Sequence, residues 1–244
     1  LSYPDADRLA LTFQLPSQGN NTGTRVRMSP NVETIQAWKQ GSRAFEAIEA
    51  YATTDMLMRP DQQGARSGEV TQSVHVGIVS PSFPRFAGRS PVIGRMFGAG
   101  DIAAGGRVAL LSETLWRGRF AASEQVLGRT VTLDSVPYTV IGVLPSTLAL
   151  PRHMSETPDI WLPLDLGKKD ATYNLWAIGR LQQGTTVAAP AKELDSLQAW
   201  MGGGARGMSG GGNLAFVTAL VRPSEMVGFR DSLLMLSGPV ALVL

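Results

Sequence analysis

The 244-residue sequence contains no cysteine, so a disulfide framework, a thiolate nucleophile and a zinc-thiolate site are all excluded. Histidine is scarce as well, since only His75 and His153 are present, which leaves little material for acid-base catalysis near neutral pH. Neither a G-x-x-x-x-G-K-[ST] motif nor an H-E-x-x-H motif occurs, so neither ATP hydrolysis nor zinc peptidase chemistry is encoded. We therefore predict that the chain is not an enzyme and that it uses no catalytic residues, no cofactor and no metal ion.

The chain also lacks a strong net charge, because its 22 basic and 20 acidic residues leave a formal net charge of only +2. Basic residues concentrate in residues 85–129, where seven arginines outnumber three acidic residues by four. Such a segment could approach anionic lipid headgroups, the carboxylates of a partner, or nucleic acid. We interpret it instead as a solvated surface with some intramolecular ion pairs, and we predict no nucleic-acid partner.

What the chain does contain is apolar residues and turn formers. Hydrophobic residues make up 43% of the sequence and charged residues 17%, with 27 glycines and 15 prolines. A chain of this length buries a substantial core, and the glycines and prolines favour many turns over long helices. The composition predicts mixed α and β structure.

The most informative stretch is residues 108–145, VALLSETLWRGRFAASEQVLGRTVTLDSVPYTVIGVLP. Ser112 is predicted to cap a helix that buries Leu115, Trp116 and Phe120. After Gly128 the residues alternate on either side of Asp134-Ser135, which is the pattern of a β-hairpin.

Other segments follow the same two periodicities. We predict strands over residues 8–15, 51–58, 69–79, 173–181 and 214–221, and a late helix over residues 186–201. An early helix is predicted to be capped by Ser29 and to carry Ile35, Trp38, Phe45 and Ile48 on one face. Glu46 and Glu49 would then share a helix face as surface charges, and all five tryptophans (Trp38, Trp116, Trp161, Trp176 and Trp200) are expected in the core. His75 is expected on the polar face of its strand, solvated or hydrogen bonded.

Residues 80–106 lose regular periodicity, and strand-helix-strand patterns lie on both sides of the middle of the chain. This arrangement indicates an inserted middle rather than two domains in tandem.

Residues 207–211, GMSGG, match the G-x-S-x-G motif of serine hydrolases, with Ser209 as nucleophile. That motif needs a strand before the serine and a helix after it, whereas glycine-rich coil lies on both sides here. Both histidines precede the serine, although the hydrolase order places histidine last. A serine hydrolase using Ser209 and a soluble ligand-binding module are the alternatives to the function given below.

The last thirteen residues, SLLMLSGPVALVL, carry no charge. They are compatible with the start of a transmembrane helix, which needs about 20 apolar residues, and equally with a buried C-terminal helix. Composition alone leaves both interpretations open.

LSETLWRGRF and VLGRTVTLDSVPYTVIGVLP resemble the extracytoplasmic core domain of MacB and FtsX-like permeases of ABC transporters. VSPSFPRFAGRSPVIGRMF, SPNVETIQAWKQGSRAFEAIEAY and IGRLQQGTTVAAPAKELDSLQAWM are similar to further segments of that family, in the expected order. One departure is the turn Asp134-Ser135, where relatives often carry asparagine-glycine or aspartate-glycine.

The resemblance implies an α+β fold with a porter-like α/β subdomain, residues 1–80 and 172–223, and an inserted β-rich sabre-like subdomain, residues 81–171. Residues 224–244 would begin a transmembrane helix. The implied function is to couple cytoplasmic ATP hydrolysis to conformational work or export outside the membrane, with this domain in the periplasm and the permease in the inner membrane. The implied partners are a cytoplasmic ABC ATPase subunit, a second permease copy and a periplasmic adaptor. Residues 79–97 and the hairpin are the predicted contact region.

Overall fold

A computed structural model describes residues 3–16, 29–59, 71–151, 157–167, 173–185, 188–200, 205–206, 213–214 and 216–221. The chain divides into two compact units. Unit 1 takes Asp5–Ile48 and the described residues from Asn174 onward, and unit 2 takes Glu49–Tyr173 together with Tyr3 and Pro4.

Helices and strands alternate irregularly along the chain. The helices are α1 (Val32–Gly41), α2 (Phe83–Phe86), α3 (Ala99–Ala103), α4 (Glu113–Phe120) and α5 (Ala188–Trp200). The strands are β1 (Leu9–Pro16), β2 (Phe45–Arg59), β3 (Gln72–Val79), β4 (Ile93–Gly94), β5 (Val108–Ser112), β6 (Thr130–Leu133), β7 (Val136–Leu144), β8 (Ile160–Pro163), β9 (Trp176–Leu181), β10 (Ala205–Arg206), β11 (Asn213–Leu214) and β12 (Phe216–Val221).

The described residues of unit 1 form an open sheet, the helices α1 and α5, and the short antiparallel pair β10–β11. Strand β1 lies between β12 and β9 and is antiparallel to both. In the order of the sheet, the neighbour of β9 on its other side is β2, whose first residues belong to unit 1. Helix α1 is capped by Asn31, whose side chain accepts a hydrogen bond from the Thr34 amide at 2.8 Å. Helix α5 packs against α1, where the Trp38 indole donates to the Leu194 carbonyl at 3.2 Å. The core of unit 1 therefore lies between the sheet and this helix pair.

Unit 2 contains a closed ring of strands. Going around it, β2 pairs with β3, β3 with β8, β8 with β5, β5 with β7, β7 with β6, and β6 returns to β2. Strand β4 is attached outside the ring to the second half of β7. Each of the six strands therefore has a neighbour on both sides, and the ring is a small barrel in which no strand is an edge strand.

Strand register places one set of apolar side chains inside the barrel. Val76 is level with Ile160, Ile160 with Leu111, and Leu111 with Val143, so these four share the inner face. All are almost fully buried. The further inward members include Val74, Ile78, Met58, Leu133, Val131, Val140 and Leu162.

The opposite face of the same strands carries an aromatic cluster. Phe83 stacks on Trp161 at 6.5 Å between ring centroids and lies 5.9 Å from Tyr51. Gly77 makes this possible, because a Cβ at residue 77 would lie 2.9 Å from Pro158 and 3.1 Å from the Trp161 ring. Tyr3 meets Phe83 edge-on and donates its hydroxyl to the Ala149 carbonyl, and burial raises the pKa of that hydroxyl above its ordinary value.

The structure confirms the mixed α and β class and most of the predicted elements. The Asp134-Ser135 hairpin is present, and the Ser112 side chain accepts a hydrogen bond from the Leu115 amide at 3.1 Å as the cap of α4. Trp38, Trp116 and Trp161 are buried as predicted, whereas Trp176 is only partly buried. The side chain of Trp200 lies outside the described part of the chain.

The prediction for the first helix was wrong at both ends. Asn31 rather than Ser29 caps it, and it ends at Gly41, so Phe45 and Ile48 belong to β2. Glu46 and Glu49 lie on that strand. Glu49 is not a surface charge, because only 4% of it is exposed and Ser82 donates to its carboxylate at 2.7 Å.

Two predictions concern the subdomains and the C-terminus. Residues 49–80 belong to unit 2, whereas the predicted porter-like subdomain includes residues 1–80, and the porter and sabre assignment stays a prediction. Within the described residues, none of the helices is long and apolar enough to cross a membrane. The predicted start of a transmembrane helix at 224–244 lies outside those residues.

Candidate interaction surface

The predicted contact region is brought together by the pairing of β4 with β7. Ile93 of the loop segment is level with Val143 of the hairpin arm, and the Arg95 amide donates to the Ile141 carbonyl at 2.9 Å. Gly142 permits this approach, because a Cβ there would lie 2.6 Å from the Arg95 carbonyl. Residues 79–97 and the hairpin are thus one continuous part of unit 2.

Arg95 is held by Asp101 through two hydrogen bonds, at 2.7 and 2.8 Å. The Arg95 guanidinium holds the pKa of Asp101 below its ordinary value, and the Gly98 amide, which donates to the same carboxylate at 2.8 Å, adds to this effect. The segment that follows β4 is therefore joined to α3 by an ion pair.

Arg117 lies one helical turn after Glu113 and donates to its carboxylate at 2.7 Å. This hydrogen bond lowers the pKa of Glu113, and the Ser146 amide supports it from the loop after β7. Because solvent screens an exposed pair of this kind, the pair orients the two side chains more than it stabilises the fold.

Other arginines of residues 85–129 are also engaged within the chain. Arg119 donates to the Gln72 side chain at 3.1 Å, Arg129 donates to the Gln125 carbonyl at 3.1 Å, and the Arg107 guanidinium lies 5.9 Å from the Tyr138 ring centroid. The predicted intramolecular ion pairs of this segment are present at Arg95 and Arg117, whereas Arg107, Arg119 and Arg129 contact uncharged groups.

Few large apolar side chains are exposed in the part of the chain that the structure describes. They are Leu57 at 53%, Val92 at 44%, Tyr173 at 39% and Leu127 at 37%. Val92 directly precedes β4, and Leu127 lies against Gly94, within 2.8 Å of where a Cβ would be. Val92 therefore gives the predicted contact region a small exposed apolar component, and Leu127 adds to it from the segment that precedes the hairpin.

His75 has the hydrogen-bonded position that the alternation predicted. Its Nδ1 lies 3.0 Å from Asp55 on the neighbouring strand, and its amide donates to the Asp159 carboxylate at 3.1 Å. The described residues hold no group of three or more metal-ligating side chains. Ser209 with its glycine-rich motif, and His153, lie outside the described residues.

Glu193 has a structural role that its local sequence does not indicate. From α5 it accepts hydrogen bonds from the Ser42 hydroxyl and the Arg43 amide, both at 2.7 Å, and from the Ala44 amide at 3.0 Å. Partial burial raises the pKa of Glu193, but these hydrogen bonds outweigh that effect and leave the pKa below its ordinary value. Nothing in the local sequence distinguishes this glutamate from its neighbours, because Arg43 precedes it by 150 residues.

Asp134 has a second role beyond its place in the turn. Its carboxylate accepts a hydrogen bond from the Leu57 amide at 2.9 Å, and its own amide donates to the Leu57 carbonyl at 3.0 Å. Asp134 and Ser135 have φ values of 45° and 73°, which is the backbone of a tight two-residue hairpin turn. The turn was predicted from the sequence, whereas its contact with β2 was not.

Comparison with known families identifies the class of protein. A family of periplasmic domains, described as the MacB-like periplasmic core domain, matches residues 3–197. The chain therefore belongs to the MacB-like periplasmic core domain family. A search of curated proteins found no match.

Solved structures with the same fold come from several bacteria. The periplasmic region of MacB from Actinobacillus actinomycetemcomitans is similar with a TM-score of 0.63 and 13% identity, covering 96% of this chain and 95% of that one. A domain of a permease protein from Porphyromonas gingivalis has a TM-score of 0.65 and 16% identity, covering 91% and 92%. The extracellular domain of the ABC-type transporter YknZ from Gram-positive bacteria has a TM-score of 0.58 and 18% identity, covering 85% and 99%. At these identities the likeness concerns the fold.

Proposed function

We propose that this chain is the coupling domain of a permease that works with a cytoplasmic ABC ATPase, so that ATP hydrolysis drives conformational work or export outside the membrane. The observation that supports this function is the family match over residues 3–197, which takes in described elements of both units. The 244 residues contain no phosphate-binding loop, so in this proposal ATP is hydrolysed outside this domain, by the cytoplasmic ATPase.

The proposed assembly contains two permease copies in the inner membrane, with this domain on the periplasmic side. The contact region formed by residues 79–97 and the hairpin is the proposed surface for a partner there, including an adaptor. Arg95 of this region is already paired with Asp101, and Arg117 is paired with Glu113 on helix α4, which contacts β7. A partner would therefore be recognised by shape and by Val92 and Leu127 more than by net charge. The porter-like and sabre-like subdomains are part of the proposal with the boundaries given above.

The experiment uses the full-length permease with its ATPase in lipid nanodiscs. This chain has no cysteine, so after removal of any cysteine elsewhere in the permease, Val92→Cys provides a single position for a spin label on the contact region. Leu57→Cys provides a second position elsewhere on unit 2. Distances between the two copies are measured by pulsed electron resonance without nucleotide, with ATP, and with ATP and vanadate.

We expect a distance distribution that shifts between the nucleotide states at both label positions. An ATPase variant that binds but does not hydrolyse ATP is the control. With this variant, the distribution of distances between the labels is expected to remain the one measured for the ATP-bound state. Distances that stay constant in all nucleotide states at both positions would contradict coupling, and the absence of any distance between copies would contradict the dimer.

The domain itself is proposed to be non-catalytic. We expect no hydrolysis of ATP or of an activated ester by the isolated chain, and Ser209→Ala is expected to leave the background rate unchanged. Ester hydrolysis that disappears specifically in Ser209→Ala would instead support the serine hydrolase alternative.

A further inference from the structure

The lines of pairing between neighbouring strands of the barrel, here called seams, differ in length. Strands β2 and β3 pair continuously from Tyr51 with Val79 to Met58 with Gln72. Strands β2 and β6 pair only at Met58 with Leu133 and at Arg59 with Thr132. The β2–β6 seam is therefore the short one of the two that involve β2.

The seam between β8 and β5 is also short, but its surroundings differ. Its residues Leu110, Leu111, Ile160 and Trp161 are at most 1% exposed, and the aromatic cluster packs on Trp161. At the β2–β6 seam, in contrast, Arg59 and Asp134 are exposed, and Leu57 beside them is 53% exposed. The β2–β6 seam therefore lies beside residues that are exposed to water, and backbone hydrogen bonds in such surroundings open at a lower free energy than those in the core.

Asp134 lengthens this seam from the turn. Its amide donates to the Leu57 carbonyl and its carboxylate accepts a hydrogen bond from the Leu57 amide, so the aspartate takes the place of one further residue of β6. Directly inside the seam lie Met58 and Leu133, each 1% exposed. The two hydrogen bonds of Asp134 therefore hold β6 against β2 where the pairing covers Met58 and Leu133.

We propose that the β2–β6 seam is the point at which the barrel opens, and that the contact of Asp134 with Leu57 controls the opening. In the open form β6 leaves β2, while the β6–β7 hairpin stays paired from Thr130 with Thr139 to Leu133 with Val136. Met58 and Leu133 then become accessible. This conformational device belongs to the chain itself and does not depend on the proposed function.

The first test measures amide exchange in the 244-residue chain by NMR. The Asp134 amide reports on the β2–β6 seam. The amide and carbonyl of His75 point toward Asp159, away from β2. Because the backbone groups of successive strand residues point to opposite sides, the amides of Gln72 and Val74 point toward β2. Exchange at these two amides therefore reports on the β2–β3 seam. We expect exchange at Asp134 to be about tenfold faster or more, as for a locally opening region. Equal rates at the two seams would mean ordinary fraying of the strand end and would overturn the proposal.

Two substitutions separate the carboxylate from the turn. Asp134→Gly keeps the positive φ but removes the side-chain acceptor, whereas Asp134→Asn keeps an acceptor oxygen and tolerates the same backbone. We expect Asp134→Gly to speed exchange at the residue-134 amide and oxidation of Met58 by peroxide by about tenfold, because a hydrogen bond to a charged group is lost. Asp134→Asn keeps a weaker, neutral hydrogen bond and is expected to fall between the parent and Asp134→Gly. Equal behaviour of both variants and the parent would overturn the role of Asp134.

Engineered disulfides provide the matched control, since no other cysteine of this chain competes with them. R59C/T132C joins the two strand ends across the β2–β6 seam, where facing Cα atoms of antiparallel strands are about 4.5–5.5 Å apart and within disulfide range. L57C/S73C joins β2 to β3. Oxidised R59C/T132C is expected to suppress Met58 oxidation, followed by mass spectrometry, and L57C/S73C to leave it unchanged. Equal protection by both disulfides, or protection by neither, would overturn the proposal.

Discussion

Unit 1 has an open sheet that ends at β12, whereas the strands of unit 2 close on themselves through the β2–β6 seam. In unit 1 the parts that must meet are far apart in sequence, as Glu193 and residues 42–44 show. In unit 2 the ring of strands comes from one continuous stretch, residues 51–163.

The two units are therefore sensitive to substitution in different places. Unit 1 depends on a few long-range contacts between α5 and the end of α1: the carboxylate of Glu193, the Trp38 indole, and Gly41, against which Leu197 packs. Unit 2 depends on its two apolar layers, one inside the barrel and one formed by the aromatic cluster outside it. Substitutions in these places should affect the two units separately.

Trp161→Ala is expected to have the largest effect. Trp161 is 1% exposed and packs on Phe83, and truncating a buried tryptophan costs about 3–5 kcal/mol of unfolding free energy. Amide exchange at β3 and at α1, monitored as urea is added, measures the loss of unfolding free energy in each unit. Trp38→Ala is the counterpart in unit 1, expected to affect α1 first. If both variants lowered the stability of both units equally, the comparison between separate units would be wrong.

Gly179→Ala is expected to destabilise unit 1 by about 1–3 kcal/mol, the usual cost of overpacking. A Cβ at residue 179 would lie 2.2 Å from a Phe45 ring carbon. Gly118→Ala is the control, because residue 118 lies in α4 and no atom lies within 4 Å of the added carbon. This variant should be about 0.5–1 kcal/mol more stable than the parent, since alanine favours a helix more than glycine does. Thermal unfolding of the two variants should move in opposite directions. A neutral Gly179→Ala would mean that Phe45 repacks without cost.

Glu193→Gln is expected to cost unit 1 about 1–2 kcal/mol near neutral pH, because hydrogen bonds to a charged acceptor are replaced by weaker ones. The folded-state pKa of Glu193 is below its ordinary value of 4.5, so its contribution is present above that value and disappears as the pH falls through the lowered pKa. The difference in urea midpoint between parent and variant should therefore narrow on acidification below that ordinary value. Asp7→Asn, at an exposed position, is the control. A difference that does not change with pH would rule out a role for the charge.

Ser112→Ala is expected to have the smallest effect, about 1 kcal/mol, through loss of the α4 cap. Ser112 is only 3% exposed, so Ser112→Thr, which keeps the hydroxyl acceptor and adds one methyl group, is the matched control and should retain most of the stability. Urea unfolding of unit 2 measures both variants. A loss that Ser112→Thr does not recover would point to packing rather than capping.

Local signals in the sequence were sufficient for the parts of the fold that depend on neighbours. Ser112 formed the predicted cap, and Leu115 and Trp116 are buried on the helix face as predicted, whereas Phe120 is only partly buried. Asp134-Ser135 formed the predicted turn. Phe45 and Ile48 were misassigned because spacing compatible with a helix face continued beyond Gly41, while the pairing of β2 overrode it.

The closure of the barrel and the contacts of Glu193 could not be predicted in the same way. Both join residues far apart in sequence, and the alternation of β2 or β6 says which residues face inward but not which strand lies beside them. For the candidate contact region, the resemblance to the family supplied residues 79–97 and the hairpin, whereas the ion pairs of Arg95 with Asp101 and of Arg117 with Glu113 became visible only in the structure.

The position of β1 has a consequence for the order in which the chain is completed during synthesis. Both neighbours of β1, β9 and β12, are made after the last strand of the barrel, β8. Domains fold as units during synthesis, so the ring of unit 2 can close while β1 has no partner. For the time needed to translate residues 164–181, Leu9 and Leu11 belong to an unpaired apolar strand in the nascent protein.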